Sequence, residues 1–537
     1  MVKLSTELLL LCLFTCCGLF LHPSAIHAEA KRRRWCSRAP DSSDTCSHYV
    51  SQSMQKVSIH AAMELAMLAR EQILLGGLEG AAWSDCLDLH DFTLSQLNRS
   101  LGPSRRRVGD DDDVWTWLSA ALTNLHTCRA GLAELHVPSS WFLPLLTNAS
   151  ELVSNALAIT ETRAEEEERK GGGGEFPEWS SVEDRELLRA RRGDVVADLV
   201  VAKDGTGDLG SIKDAIDEAS RRRGRKSGRF VIYVKEGVYV ENVQVGVRDL
   251  MLAGDGIGKT VVTGSRSVDG GSTTFNSATV GESTRMNSSF FFFSLSHVGK
   301  IDGRWHAAVT GDGFIARGIT FRNTAGPAKH QAVALRCNAD LAVFYRCSFE
   351  GYQDTLYAHS LRQFYRECDV HGTVDFIFGN AAAVLQDCNI YVRRPMSKQQ
   401  NTITAQGRTD PSQNTGTVIQ QCRVTAAPDL RPVQGKFRTY LGRPWQAYSR
   451  TVFMDTYMDD LIAAAGWSEW SGGFALNTLY YGEYKNTGPG SDTSRRVRWR
   501  GHHVITDPST ALRFTVRGLL SGGSWLPATG VPFTDGL

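Results

Sequence analysis

The 537-residue sequence predicts an all-α four-helix bundle followed by an all-β right-handed parallel β-helix, a solenoid. Three observations carry this. Apolar residues recur at three- and four-residue intervals over 57–75, 83–101, 114–132 and 143–159, the spacing of an amphipathic helix face. Beyond residue 195 that period is lost, and short β-rich runs appear between Gly, Asp and Asn. Among them lies an internal repeat. Phe344-Tyr345-Arg346-Cys347 and Phe364-Tyr365-Arg366-Glu367-Cys368 are each followed, seven residues after the cysteine, by an aspartate, Asp354 and Asp375; cysteines and aspartates are both 21 residues apart. Short strands recurring at about 20 residues are the pattern of a parallel solenoid.

Taken in order, the chain begins with Lys3, an apolar run at 8–21 and a cleavage-like Ala28-Glu29-Ala30. Residues 1–30 are therefore expected to be a secretory signal. The run is too short for a membrane span, and no other segment reaches spanning length. Secretion permits disulfides. Of the 12 cysteines, Cys12, Cys16 and Cys17 lie in the signal, leaving an odd number. The four helical segments place an up-and-down bundle at 31–160. Cys36 and Cys46 are candidates to clip an N-terminal extension, and Cys86 and Cys128 to staple the second and third helices. Asn98, Asn148 and Asn287 each open an Asn-x-Ser glycosylation acceptor.

Residues 161–193 read as a linker: charged at 165–170, then Gly171 to Gly174. Arg185-Glu186-Leu187-Leu188 and Arg189-Ala190-Arg191-Arg192 in an exposed linker suit a processing protease. From 194 to 537 the solenoid is expected, with early strands at 230–234, 238–245, 250–253 and 260–263, and one helix at 211–221 to cap its open end. This part carries 39 Lys and Arg against 32 Asp and Glu, a net +7, while the remaining 20 and 26 leave residues 1–193 at −6. A basic solenoid suits a polyanionic partner. No aromatic-plus-basic motif points to nucleic acid.

In a parallel solenoid, equivalent positions on successive coils stack at roughly 4.8 Å. The repeat therefore places Asp354 and Asp375 side by side. A lone solenoid aspartate commonly just caps a turn. Two carboxylates that close, however, cannot both ionise freely, so one is expected to titrate high, giving an acid and a nucleophile from one residue type. There is no Gly-x-Ser-x-Gly elbow for a serine nucleophile and no His-Glu-x-x-His metal spacing among the 14 histidines. Gly254-Asp255-Gly256-Ile257-Gly258 has no βαβ context for a nucleotide. No cofactor and no metal are expected.

The flanking residues extend the argument. Gly351-Tyr352-Gln353-Asp354-Thr355-Leu356-Tyr357 and Gly372-Thr373-Val374-Asp375-Phe376-Ile377-Phe378-Gly379-Asn380 resemble the two active-site motifs of plant pectin methylesterases. The resemblance runs over about 198–530 and includes Gln331-Ala332-Val333-Ala334-Leu335 and Leu441-Gly442-Arg443-Pro444-Trp445. The helical part, through Asp113-Val114-Trp115-Thr116-Trp117-Leu118-Ser119-Ala120-Ala121-Leu122 and Cys128, resembles the pectin methylesterase inhibitor family, whose four cysteines pair as Cys36 with Cys46 and Cys86 with Cys128.

What the resemblance implies is an enzyme of the cell wall that hydrolyses the methyl esters of homogalacturonan to pectate and methanol. In it, Asp375 would be the nucleophile and Asp354 the acid/base. Gln353 and Gln331 would serve the oxyanion, and Arg443 would aim Asp375. Trp445 and Trp467 would stack on sugars, and Thr274, Tyr357 and Phe376 would line the groove. The helical part would be an intramolecular inhibitor, released at the linker, and the enzyme a monomer. Rival readings are a polysaccharide hydrolase or lyase on the same solenoid, and a catalytically impaired wall-binding protein.

Residues 281–307 stand apart. The resemblance runs to Thr274-Phe275-Asn276-Ser277-Ala278-Thr279-Val280 and resumes at Ala308-Val309-Thr310-Gly311-Asp312-Gly313-Phe314. The segment between includes Phe290 to Phe293, a poor solenoid loop because it would expose an apolar patch. A retained intron is expected to explain it, a genuine surface loop being the alternative. Val280 and Ala308 are then expected to be close in space.

Overall fold

A computed structural model describes residues 43–102, 110–169, 196–225, 228–281 and 311–537. The expected signal, most of the linker, Cys36, the Cys46 side chain, Asn287 and the closeness of Val280 to Ala308 lie outside the described residues.

The helical period yields four helices: α1 (Ser43–Leu75), α2 (Ala81–Leu101), α3 (Asp110–Glu134) and α4 (Leu143–Arg169). α1 packs on α2 and α4, and α3 on the same two, closing a bundle. Its core is the apolar stripe of each helix, including Leu89, Leu122, Leu125 and Val153. Cys86 and Cys128 form a disulfide between α2 and α3. α4 continues through 161–169, into the segment read as linker. Ala164 and the glutamates at 165–168 are good helix formers, so the helix does not stop where its apolar stripe does. Asn98 and Asn148 are exposed on α2 and α4.

From Leu199 the chain winds into three parallel sheets of 11, 8 and 7 strands. Every ladder is parallel, and the register repeats the 21-residue offset read from the sequence: Leu335 pairs with Leu356 and Leu356 with Ile377. Among the early strands, the run at 238–245 divides into Gly237–Val240 and Val243–Gln244, which belong to different sheets. The interior is filled by stacked equivalents, as where Phe344 lies on Tyr365 at 4.9 Å. Cys347, Cys368, Cys388 and Cys422 are buried unpaired. The Cys368 N–H donates to the Cys388 sulfur at 3.4 Å, and the Cys388 N–H to the Cys422 sulfur at 3.3 Å. α5 (Ile212–Arg222) covers the open end with Ile212, Ala215, Ile216 and Ala219, and Ser211 caps it by accepting from the Asp214 N–H.

Candidate active site

The 7-stranded sheet, from Val243–Gln244 to Thr439–Gly442, carries the site. Asp354 and Asp375 occupy the turns just before its strands Leu356–Ala358 and Ile377–Gly379. Both have left-handed backbones, φ 63° and 51°, a conformation that aspartate tolerates better than most residues. The ladder sets them one coil apart, as the repeat requires. Asp354 and Asp375 are 7% and 5% exposed, so both carboxyls are largely removed from water.

Their environments differ. Asp375 is held in the Arg443 fork: Arg443 Nε donates to Oδ1 at 2.8 Å and Nη2 to Oδ2 at 2.6 Å. The Thr402 hydroxyl donates to the same Oδ1 at 2.6 Å. This bidentate, charge-assisted geometry aims the carboxylate. Among the described residues, Asp354 has no comparable partner. Burial, then the charges of Asp375 and Glu134, push its carboxyl well above the usual range, and Arg443 opposes them. Burial and like charge thus favour the protonated form of Asp354.

A cavity of about 440 Å³ opens over the pair, with Gln331, Gln353, Thr274, Tyr357 and Trp445 in its wall. Tyr357 stacks on Phe378 at 4.2 Å, and Trp445 stands edge-on to both. Gly407 makes room for Trp445: a Cβ there would lie 2.8 Å from the indole.

Two expected groove residues lie elsewhere. Phe376 is fully buried in the solenoid interior. The 21-residue repeat already aligned it with Thr355, also fully buried, and aligned Phe378 with the outward-facing Tyr357. The groove ring is therefore Phe378. Trp467 is 1% exposed, stacked on Tyr481 at 4.1 Å, with its indole N–H on Glu483 at 3.1 Å. Burial removes it from any sugar. Trp470, 38% exposed, is the ring at the rim, with the Arg443 guanidinium 4.3 Å over its face. The sequence also concealed Thr402, 27 residues from Asp375, because nothing local marks a contact made through the next coil.

The bundle closes the groove. Glu134 at the end of α3 accepts from the Thr274 N–H at 2.9 Å and from its hydroxyl. Asp85 on α2 accepts from the Thr273 hydroxyl. Thr127 bonds His359 at 2.9 Å, and Asn380 donates to Thr123 at 2.9 Å. Asp113 pairs with Arg362 at 2.7 Å and Arg99 with Asp312 at 3.1 Å. Phe275, Tyr357, Phe378 and Ala405 of the groove join the bundle's apolar core. Burial pushes Asp85 up to about 7, against the opposing Thr273 hydrogen bond and Arg336 charge. Among the described residues, no group of His, Cys, Asp and Glu is arranged to hold a metal ion. Nor is any described helix long and apolar enough to cross a membrane.

Comparison with known proteins agrees with this two-part architecture. The sequence pattern described as Pectinesterase matches residues 198–291 and 305–523, and that described as Plant invertase/pectin methylesterase inhibitor matches 31–159. The unmatched gap, 292–304, is narrower than the foreign segment expected at 281–307. Pectinesterase 2 of Citrus sinensis is 50% identical over 536 residues, covering 96% of this chain and 97% of that one. Probable pectinesterase/pectinesterase inhibitor 17 of Arabidopsis thaliana is 51% identical, covering 94% of each. The structure of the pectin methylesterase from carrot is 51% identical with a TM-score of 0.58, and 65% of this chain covers 100% of it. With both patterns matched in order and half its residues identical to relatives of the same length, this chain belongs to the pectinesterase family, its catalytic solenoid preceded by an inhibitor-type helical domain.

Proposed function

We propose that the solenoid hydrolyses the methyl esters of homogalacturonan, releasing methanol and leaving pectate. The observation that carries this reading is the unlike pair: Asp375 fixed by Arg443 and Thr402, beside Asp354 with its raised pKa. Asp375 attacks the ester carbonyl carbon. The amides of Gln331 and Gln353 receive the developing oxyanion. Asp354 gives its proton to the departing methoxide, so methanol leaves and an acyl-enzyme remains. The Asp354 carboxylate then takes a proton from water, which attacks the acyl carbon and frees Asp375. The rings of Trp445 and Trp470 flank the polymer. Carboxyls one coil apart are too close for the water of an inverting glycosidase, which needs about 6.5–9.5 Å.

The Glu134 and Asp85 contacts support a second element of the reading: the docked bundle suppresses activity until a protease cuts the linker. The protein is secreted to the wall and acts there as a monomer. The solenoid has its own cores, and the carrot structure, all of which is covered by 65% of this chain, is too large a share to be the bundle and so corresponds to the solenoid without it. The test is methanol release from methyl-esterified homogalacturonan by residues 194–537. Methanol without chain cleavage is expected; chain cleavage without methanol would overturn the reading in favour of a hydrolase or lyase.

A further inference from the structure

Beyond the catalytic cavity, the second coil after Arg443 presents an exposed cationic strip. In Arg495-Arg496-Val497-Arg498-Trp499-Arg500, residues 496, 497 and 499 turn in and 495, 498 and 500 turn out. Arg496 turns inward and is consumed by Glu483, with Nε 2.9 Å from Oε1 and Nη2 3.0 Å from Oε2. Val497 and Trp499 pack against the solenoid core. Arg495, Arg498 and Arg500 are left exposed, and none of them makes an ion pair among the described residues. The nearby Asp492 accepts from the Ser494 N–H and hydroxyl, both at 2.9 Å, and feels the charge of Arg495, so Arg498 and Arg500 are the members of the strip with no acidic neighbour of this kind among the described residues.

The strip is continuous with the rim of the site. The Val497 N–H donates to the Ala465 carbonyl at 3.0 Å, setting Arg498 beside the segment that leads to Trp470. The Gly501 N–H donates to the Leu476 carbonyl at 3.0 Å, setting Arg500 beside the loop that carries Phe474. Trp470 and Phe474 are 38% and 39% exposed, two large rings open to water on the loop between Ala465 and Leu476. Among the described residues, the hydrogen bonds and ion pairs seen between the docked bundle and the solenoid fall at 273–274, 312–414 and Ser521, away from 465–505.

Exposed rings with guanidiniums on the adjoining segment match a sugar chain that carries a carboxylate on each unit: rings stack on the pyranose faces, and planar guanidiniums pair with carboxylates. A neutral, fully esterified chain would gain only the stacking. We propose that Arg495, Arg498 and Arg500, with Phe474 and Trp470, form an outlying subsite for the free carboxylates of de-esterified homogalacturonan. The identity of the polymer rests on the esterase reading above; the anionic subsite rests on the strip itself.

Because the bundle leaves the strip open, the full-length chain serves for the test. The probe is an end-labelled, fully de-esterified oligogalacturonate, followed by fluorescence anisotropy. Binding is expected to weaken with added salt. The double substitution R498Q/R500Q is expected to weaken it by up to about 30-fold, two exposed charge pairs at the upper end of their usual worth. F474A weakens it independently. R221Q, which removes a charge from a surface ion pair with Glu218 on α5, leaves it unchanged. Binding of R498Q/R500Q equal to that of the unaltered chain would overturn the subsite, as would equal competition by polyglutamate, which shares the charge but offers no sugar face. Loss of the esterase reading is seen separately: oligogalacturonate binding that survives in a chain whose separated solenoid releases no methanol sinks the chemistry and not the strip.

Discussion

Glu134 grips Thr274 by both its backbone N–H and its hydroxyl, 140 residues away in the chain, and so sets the end of helix α3 into the mouth of the catalytic cavity. Hydrogen bonds to a charged group are worth about 1.5–3 kcal/mol, so Glu134→Ala is expected to loosen docking by about 10- to 100-fold. The full-length E134A chain should release methanol faster than the unaltered full-length chain, while the separated solenoid sets the ceiling for both. Equal rates for the two full-length chains would remove Glu134 from the inhibitory contact.

Docking should also depend on pH through Asp85. Its carboxyl sits near 7 when buried against Thr273, against an ordinary value of 3.8. An acid raised by docking must take up a proton whenever the free form is ionised. Below about 4 both forms are protonated and docking is at full strength. Between about 4 and 7 it weakens by up to about tenfold per pH unit, and above 7 it levels off. Titrating the affinity of the isolated bundle for the solenoid checks this. Asp85→Asn should flatten the profile, and an unchanged slope in that variant would refute the assignment.

Asp375→Asn removes the attacking carboxylate without changing its shape. Methanol release by the solenoid is expected to fall by roughly a thousandfold or more, with binding of de-esterified polymer largely kept. Asp354→Asn should also be severely impaired, since an amide carries no proton to exchange. Arg443→Lys keeps the charge but loses the fork, and an intermediate loss in kcat is expected. A folded Asp375→Asn solenoid turning over at the normal rate ends the proposed mechanism.

The two tryptophans give opposite signatures. Trp467→Ala empties a fully buried site and leaves Glu483 without its indole donor; a loss of about 3–5 kcal/mol and a lowered Tm are expected. Trp470→Ala leaves Tm nearly unchanged and raises KM for the polymer. Thermal melts and steady-state kinetics on the two solenoid variants separate them, and a normal KM in W470A would take that ring out of the substrate path.

Sequencing the mature transcript tests the origin of residues 281–307. A shorter message, lacking this segment and keeping the frame, is expected. Message that carries it throughout establishes it as a loop of the protein.

Much of the molecule was legible before folding because it is periodic. Four apolar stripes at helical spacing specified four helices, since burying a stripe is what stabilises each of them. The 21-residue offset placed Asp354 beside Asp375, because a parallel ladder turns a constant offset into adjacency. Cys86 and Cys128, positioned to staple the second and third helices, do so.

The rest depended on partners that no period relates. Trp467 and Trp470 are near neighbours of one residue type, and only Glu483 and Tyr481 in the next coil decide that the first is buried and the second open. Thr402 reaches Asp375 from a coil of unequal length, so no offset announces it. Glu134 is an ordinary helix-end acid until the bundle lies on Thr274. Local spacing determines which face a side chain takes; what that face meets is decided by packing between distant segments, where burial and complementary hydrogen bonds select one arrangement.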